Sequence, residues 1–227
     1  MPINKLLRLL YPKRCMLCDD LLVYGAPEDI CADCVPKIPE YLAAPRRVLA
    51  TPYGEITRVY AVFRYDGHIR DAVTRLKFRR MKENAKIMAS LMVSVIAASD
   101  WPEDFWDILD EADFMIPVPL HKSRLRRRGF NQAELLARSL AHLYNLTVST
   151  ALIRTKKTGP MYNLPKDERR QNISGAFTVS PNVYEDKNVI LIDDIFTTGS
   201  TAEEAVRTLK ESGARSVCIL AFAAGGD

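Results

Sequence analysis

The chain has 227 residues, 48% of them hydrophobic and 26% charged, and a formal net charge of +4. That composition can bury a sizeable core as one main domain with a small appendage, and it excludes disordered and collagen-like chains. Apolar runs such as Val217–Ala224 fall far short of the about 20 residues a bilayer needs, so no membrane span is expected.

The N-terminus, MPINKLLRLLYPKRC, has neither a long apolar stretch nor a small-residue cleavage site. It reads as a short amphipathic helix ending before Pro12, and the expected location is cytoplasmic. Residues 12–38 then hold two C-x2-C pairs, Cys15/Cys18 and Cys31/Cys34, separated by twelve residues. In a reducing compartment that spacing points to metal or redox chemistry rather than disulfides. Two such knuckles suit one Zn²⁺ held tetrahedrally by four thiolates in a structural role, with a redox pair as the alternative. Residues 39–58 carry Pro39, Pro45 and Pro52 and read as a linker, which places a domain boundary near residue 50.

Val59–Tyr65 alternates as a strand. Asp66 and Gly67 can cap a helix over His68–Phe78 with Ile69, Val73 and Leu76 on one face. A second helix is expected at about Glu83–Ala98, striped by Ile87, Leu91, Val95 and Ala98. Phe114–Pro119 reads as a short buried strand, and HKSRLRRRG after it as a basic loop. Asn131 and Glu134 form a capping-box pattern before Leu135, Leu136, Leu140 and Leu143. Val189–Ile192 has the β-branched, apolar composition of a buried parallel strand. A helix begins at Ser200 or Thr201 and ends at Gly213, and Val217–Phe222 is the next strand. Cys218, inside that run, reads as an inert core residue. Strands alternating with helices imply an α/β domain with a mostly parallel sheet.

The chemistry concentrates in VILIDDIFTTGST, Val189–Thr201. A buried strand delivers Asp193 and Asp194 to its C-terminal end, where open α/β sheets bind ligands. Thr197, Thr198, Gly199, Ser200 and Thr201 follow. Gly199 allows a tight turn, and the helix that starts there aims its free N–H groups and positive dipole end at the same spot. A phosphate in the loop, with a ribose diol against the acids, satisfies these groups. Positive charge is also concentrated, in Arg75–Lys82 and in Lys122–Arg128, although charge alone fits two solvated surface faces better than a phosphate or nucleic-acid site.

This segment resembles the phosphoribosyl pyrophosphate motif of type I phosphoribosyltransferases. The resemblance implies that Asp193 and Asp194 hold ribose hydroxyls with Mg²⁺ nearby, and that Thr197 through Thr201 hold the 5′-phosphate. Further segments narrow it: Pro117-Val-Pro-Leu with Arg128-Gly-Phe-Asn-Gln132, the stretch Arg154–Phe177 ending in RRQNISGAF, and the paired C-x2-C. Together these resemble the ComF family of competence proteins, with GntX-like proteins as a related branch. The resemblance implies a type I phosphoribosyltransferase fold over residues 51–227, preceded over residues 1–50 by a helix, a zinc ribbon and a linker. In that fold the Pro119–Gly129 loop lies at the diphosphate and Arg154–Arg170 forms a hood. Lys122, Arg126, Arg127, Arg128, Lys156, Lys157, Arg169 and Arg170 are then candidates for diphosphate or DNA contact. Relatives commonly carry Gln where this chain has Met161.

Two functions from different classes fit. One is a competence protein for DNA uptake that binds phosphoribosyl pyrophosphate or ribose 5-phosphate together with single-stranded DNA. Phe78, Phe130 or Tyr162 would stack bases, though Phe78 and Phe130 also suit the core. Its partners would include a competence helicase or another DNA-processing protein, at the inner face of the membrane. The other is a Mg²⁺-dependent transferase acting on an unidentified acceptor. No segment reads as a nucleobase pocket, and the sequence singles out no catalytic residue.

Overall fold

The computed structural model describes residues 12–23, 29–43, 46–50, 56–78, 82–158 and 165–225. The expected N-terminal helix, Arg79, Arg80, Met161, Tyr162 and the Phe78 side chain lie outside the described residues.

One six-stranded sheet organises the molecule. Its strands are β1 (Arg46–Ala50), β2 (Ile56–Arg64), β3 (Phe114–Pro117), β4 (Thr147–Val148), β7 (Asn188–Phe196) and β8 (Ser216–Ala224), in the spatial order β1-β2-β8-β7-β3-β4. Only β1 runs antiparallel to its neighbour. Two short strands, β5 (Ile153–Arg154) and β6 (Phe177–Thr178), pair separately.

A parallel sheet covered on both faces needs apolar side chains on both, and β7 and β8 supply them by alternation. Ile190, Ile192, Cys218, Leu220 and Phe222 enter one core, while Val189, Leu191, Val217, Ile219 and Ala221 enter the other. The first core is closed by α1 (Gly67–Phe78), α2 (Asn84–Ala98), α3 (Glu103–Asp110) and α5 (Gln132–Tyr144), and the second by α7 (Ser200–Glu211). Ile69, Val73 and Leu76 of α1 are fully buried, as their spacing requires, and Cys218 is a core thiol.

Several expectations change. The Pro-rich stretch read as a linker contains β1, whose Leu49 packs near the Gly199 turn; proline is tolerated beside an edge strand. The basic loop is largely helix: α4 (Lys122–Arg128) starts with the His121 side chain accepting from the Ser123 amide and stops at Gly129, whose φ of 83° is left-handed. Asn131 does precede α5, but its side chain donates to the Val118 carbonyl, and Glu134 binds Arg138 instead of closing a capping box. On α2 the buried face includes Met88, Ala89, Met92 and Ile96, whereas Ala98 is exposed. That helix is apolar nearly all round, so its neighbours select the inward face. The hood region includes a further helix, α6 (Lys166–Ile173).

The cysteine module docks on the first core. Met16 and Leu17 are buried there, and Arg75 of α1 donates to the Met16 and Leu17 carbonyls, the latter at 2.7 Å. Arg75 also faces Asp19 at 3.9 Å. A residue that fits a solvated basic cluster by sequence is therefore a half-buried tie between the module and the sheet.

Candidate functional site

Strand β7 runs on past its apolar part to Phe196, so Asp193 and Asp194 project from the C-terminal end of a central strand. Alternation sends them to opposite faces. Asp193 lines a cavity of about 310 Å³ together with Ile195 through Ala202 and Arg169. Asp194 turns toward α1, where the Lys77 ammonium meets its Oδ2 at 2.7 Å. Both partners of that pair are largely buried, with side chains 18% and 13% exposed.

Electrostatics separate the two acids further. Burial and the adjacent Asp194 charge push the Asp193 carboxyl well above the ordinary carboxylate range. Burial acts on Asp194 in the same sense, but Lys77 outweighs it and holds that carboxyl below its usual value. The Asp194 amide donates to Asp193 Oδ1 at 2.8 Å, which fixes the orientation of the first acid.

The turn after β7 depends on Gly199, which has φ 80° and would bring a Cβ to 3.0 Å from Leu49 and 3.1 Å from Phe196. Gly199 is also the N-cap of α7 and offers no side-chain cap, so the first-turn amides face the cavity uncapped. The Thr198 hydroxyl lies 3.4 Å from the Ser200 hydroxyl and 3.5 Å from the Arg169 guanidinium of α6. Thr197, Thr198, Gly199, Ser200 and Thr201 all line this cavity, as does the Asp193 side of the acid pair.

A second cavity of about 340 Å³ is lined by His121, Ser123, Arg124, Arg127, Arg154, Lys157 and Thr158. Its centre is Arg154, only 6% exposed, whose guanidinium donates to the Thr158 hydroxyl at 2.5 Å and stacks 5.5 Å from the Phe177 ring. Its Nε has no hydrogen-bond partner among the described residues. Burial and the neighbouring Arg124 pull the Arg154 pKa down to about 10, so it stays cationic at neutral pH. His121 is likewise lowered, by desolvation and by the surrounding lysines and arginines. The lining of this cavity is cationic.

The expected basic residues divide. Arg127 and Lys157 line the second cavity, Arg169 lines the first, and Arg128 adds positive potential at Asp194. Lys122 and Arg126 are exposed on α4. Lys156 donates to the Ser174 carbonyl at 3.2 Å, and Arg170 pairs with Glu203 at 3.0 Å. Phe130 is buried and sits under Lys82, so it is core rather than a stacking platform. Sequence reasoning missed Lys77, Arg124 and Arg154 as site residues. The signal for Lys77 is slight, one cation of the Arg75–Lys82 run beside the 69/73/76 stripe, and Arg154 stands in a segment whose burial only the β5–β6 pairing reveals.

The four sulfur ligands of Cys15, Cys18, Cys31 and Cys34 lie within 4.8 Å of one another. Tetrahedral zinc with Zn–S bonds of about 2.3 Å needs sulfurs about 3.8 Å apart, and Cys18 and Cys31 are separated by 3.7 Å. The Cys31 amide donates to the Cys15 sulfur at 3.3 Å. Burial opposes ionisation of Cys15, yet such backbone donors bring its thiol down to about 7, whereas burial lifts Cys34 to about 11. Donor set and spacing fit a closed structural zinc site.

Comparison with known proteins agrees with this geometry. Residues 6–55 match the model of a double zinc ribbon domain, and residues 125–227 that of a phosphoribosyl transferase domain. Competence protein F of Haemophilus influenzae is 33% identical over 154 residues, which cover 66% of each chain. The DNA utilization protein YhgH of Salmonella typhimurium is 31% identical over 161 residues, 70% of this chain and 69% of that one. The chain belongs to the competence protein F family. It joins a type I phosphoribosyltransferase fold to an N-terminal zinc ribbon. Adenine phosphoribosyltransferase from Saccharomyces cerevisiae aligns with 85% of this chain and 90% of its own at 13% identity and a TM-score of 0.39. The alignments span about two thirds of the length of the competence and DNA utilization relatives.

Proposed function

We propose that this competence protein F homologue binds phosphoribosyl pyrophosphate or a ribose 5-phosphate and serves DNA uptake or utilization, with single-stranded DNA as a second ligand. The observation that carries the reading is the Asp193 cavity. A carboxyl group, a left-handed Gly199 turn, four hydroxyl-bearing residues and the uncapped start of α7 converge on about 310 Å³. The 5′-phosphate would sit against residues 197–201 and the α7 amides, and the ribose hydroxyls against Asp193. The Arg154 cavity supplies the cations for a diphosphate, and Mg²⁺ enters this reading as the counter-ion of that diphosphate. The names of the relatives, Competence protein F and DNA utilization protein, support the DNA role. Lys122 and Arg126, exposed beside the cationic cavity, offer a path for a phosphate backbone.

The test is a titration with phosphoribosyl pyrophosphate of the native protein, Asp193→Asn and Asp194→Asn. Loss of about tenfold or more in affinity by Asp193→Asn is expected; equal binding by all three proteins overturns the site. For DNA, single-strand binding should weaken steeply with salt and fall when Arg126, Arg127 and Arg128 are changed to Gln. No detectable binding at low salt removes the DNA part of the reading.

The Arg154 cavity also favours a second reading, a transferase. The bond from ribose C1 to diphosphate oxygen breaks, an acceptor's lone pair forms the new bond to C1, and the diphosphate leaves with the electron pair. Arg124, Arg127 and Arg154 would stabilise the departing charge.

A further inference from the structure

A phosphoribosyl site with two adjacent acids invites a divalent cation, yet the residues here do not fit one on the acid pair. Three cations from three separate elements already face it. Lys77 of α1 is in contact with Asp194 at 2.7 Å, Arg128 at the end of α4 adds positive potential at Asp194, and Arg154 of β5 adds it at Asp193. Burial further disfavours two full negative charges side by side. A dication approaching this pair meets one carboxylate already engaged by Lys77 and a second whose ionisation burial opposes. Alternation along β7 makes the exclusion geometric as well, since Asp194 faces α1 and Asp193 alone lines the ligand cavity.

We propose that Lys77 is the built-in cation of the acid pair, so that the site grips a ribose phosphate without a divalent ion on Asp193 and Asp194. The inference rests on the ribose-phosphate reading above and specifies its metal requirement. Lys77 is a positioning residue. Its ammonium neutralises Asp194, keeps that carboxylate on the α1 face, and leaves Asp193, oriented by the Asp194 amide, to accept from the ribose hydroxyls. A lysine suits this role because it is a compact point charge on a stem that packs along an apolar helix face. Any magnesium dependence would then belong to ligands that carry a diphosphate.

Ribose 5-phosphate, which has no diphosphate, is the decisive probe. Calorimetric titration of the zinc-loaded full chain is run in magnesium-free buffer and again with Mg²⁺ in excess, without chelator so that zinc is retained. The native protein is expected to bind in both buffers with affinities within about twofold. Lys77→Met is expected to bind about tenfold more weakly without Mg²⁺ and to recover when Mg²⁺ is added, since the vacated carboxylate then accepts the ion. Lys77→Arg, which keeps the charge, is expected to stay close to native. Native binding that requires Mg²⁺ overturns the proposal, and that arm needs no variant to fold. A folded Lys77→Met that matches the native protein without Mg²⁺, or stays weak in both buffers, also overturns it. Absence of ribose 5-phosphate binding in either buffer by the native protein sinks the ribose-phosphate reading itself, and the proposal with it.

Discussion

The molecule contains two clusters of anionic ligands, and they solve the problem of crowding in opposite ways. At Cys15, Cys18, Cys31 and Cys34 four thiols converge within 4.8 Å and meet chiefly backbone amides. Such a cluster is incomplete until a cation from outside makes four thiolates favourable. At Asp193 and Asp194 the chain brings its own cation, Lys77, at 2.7 Å. Both arrangements hang on α1, whose Arg75 holds the cysteine knuckle and whose Lys77 holds the acid. A site that borrows its charge from a metal gains a rigid closed node; one that borrows from a side chain keeps an acid free for a ligand.

Stripping the metal should break the comparison at its stronger end. Elemental analysis is expected to find about one zinc per chain. A strong chelator should lower Tm by about 10 °C or more, because a structural zinc site contributes its binding energy to folding. A metal-free protein with unchanged Tm contradicts the zinc reading.

Arg75→Ala tests the link between the two clusters. It removes a guanidinium from two carbonyls and from Asp19 in a half-buried place, at a cost of about 2–3 kcal/mol in denaturant unfolding of the zinc-loaded protein. A change near zero would mean that the module docks through Met16 and Leu17 alone.

The smallest effect has the opposite sign. Asp193 has a raised pKa in the folded chain, so its contribution to stability is full below the unfolded carboxylate pKa and is lost as pH rises through the folded value. Asp193→Asn is therefore expected to stabilise the ligand-free protein by about 1 kcal/mol at pH 7 while impairing ligand binding. That gain should shrink as pH falls toward 4, because the native acid then becomes neutral too. Thermal unfolding across pH reads both the size and the trend; a variant less stable than native at pH 7 would show that ionised Asp193 is not strained.

Much of this was legible in the residues. The zinc ligands were readable because C-x2-C is a local chelate whose spacing alone brings two sulfurs together. The geometry of the proposed ribose-phosphate loop was readable because strand, acids, Gly199 turn and helix start are contiguous, so local rules place them at one sheet end. Helices α1, α5 and α7 and strands β7 and β8 followed from their own periodicity. The failures share a cause as well. Strand β1 hid among prolines because an edge strand needs only one partner, and α4 hid in a run of arginines because its amphipathic signal is weak. Charge runs carry no direction: Arg75 and Lys77 belong to a run that fits a solvated surface, yet Arg75 is turned to the Met16 and Leu17 carbonyls and Lys77 to Asp194.

The sequence by itself determined which donor atoms gather, thiols in one module and carboxyls and small hydroxyls in the other. Those identities are set by local spacing and by the two-residue alternation of a strand. Only the tertiary structure decided how each cluster is neutralised. Lys77 and Asp194 stand far apart in the chain and meet because α1 packs on the face of the sheet to which the even residues of β7 point. The sign of an electrostatic environment depends on through-space neighbours in a low-dielectric interior, and no local pattern encodes that.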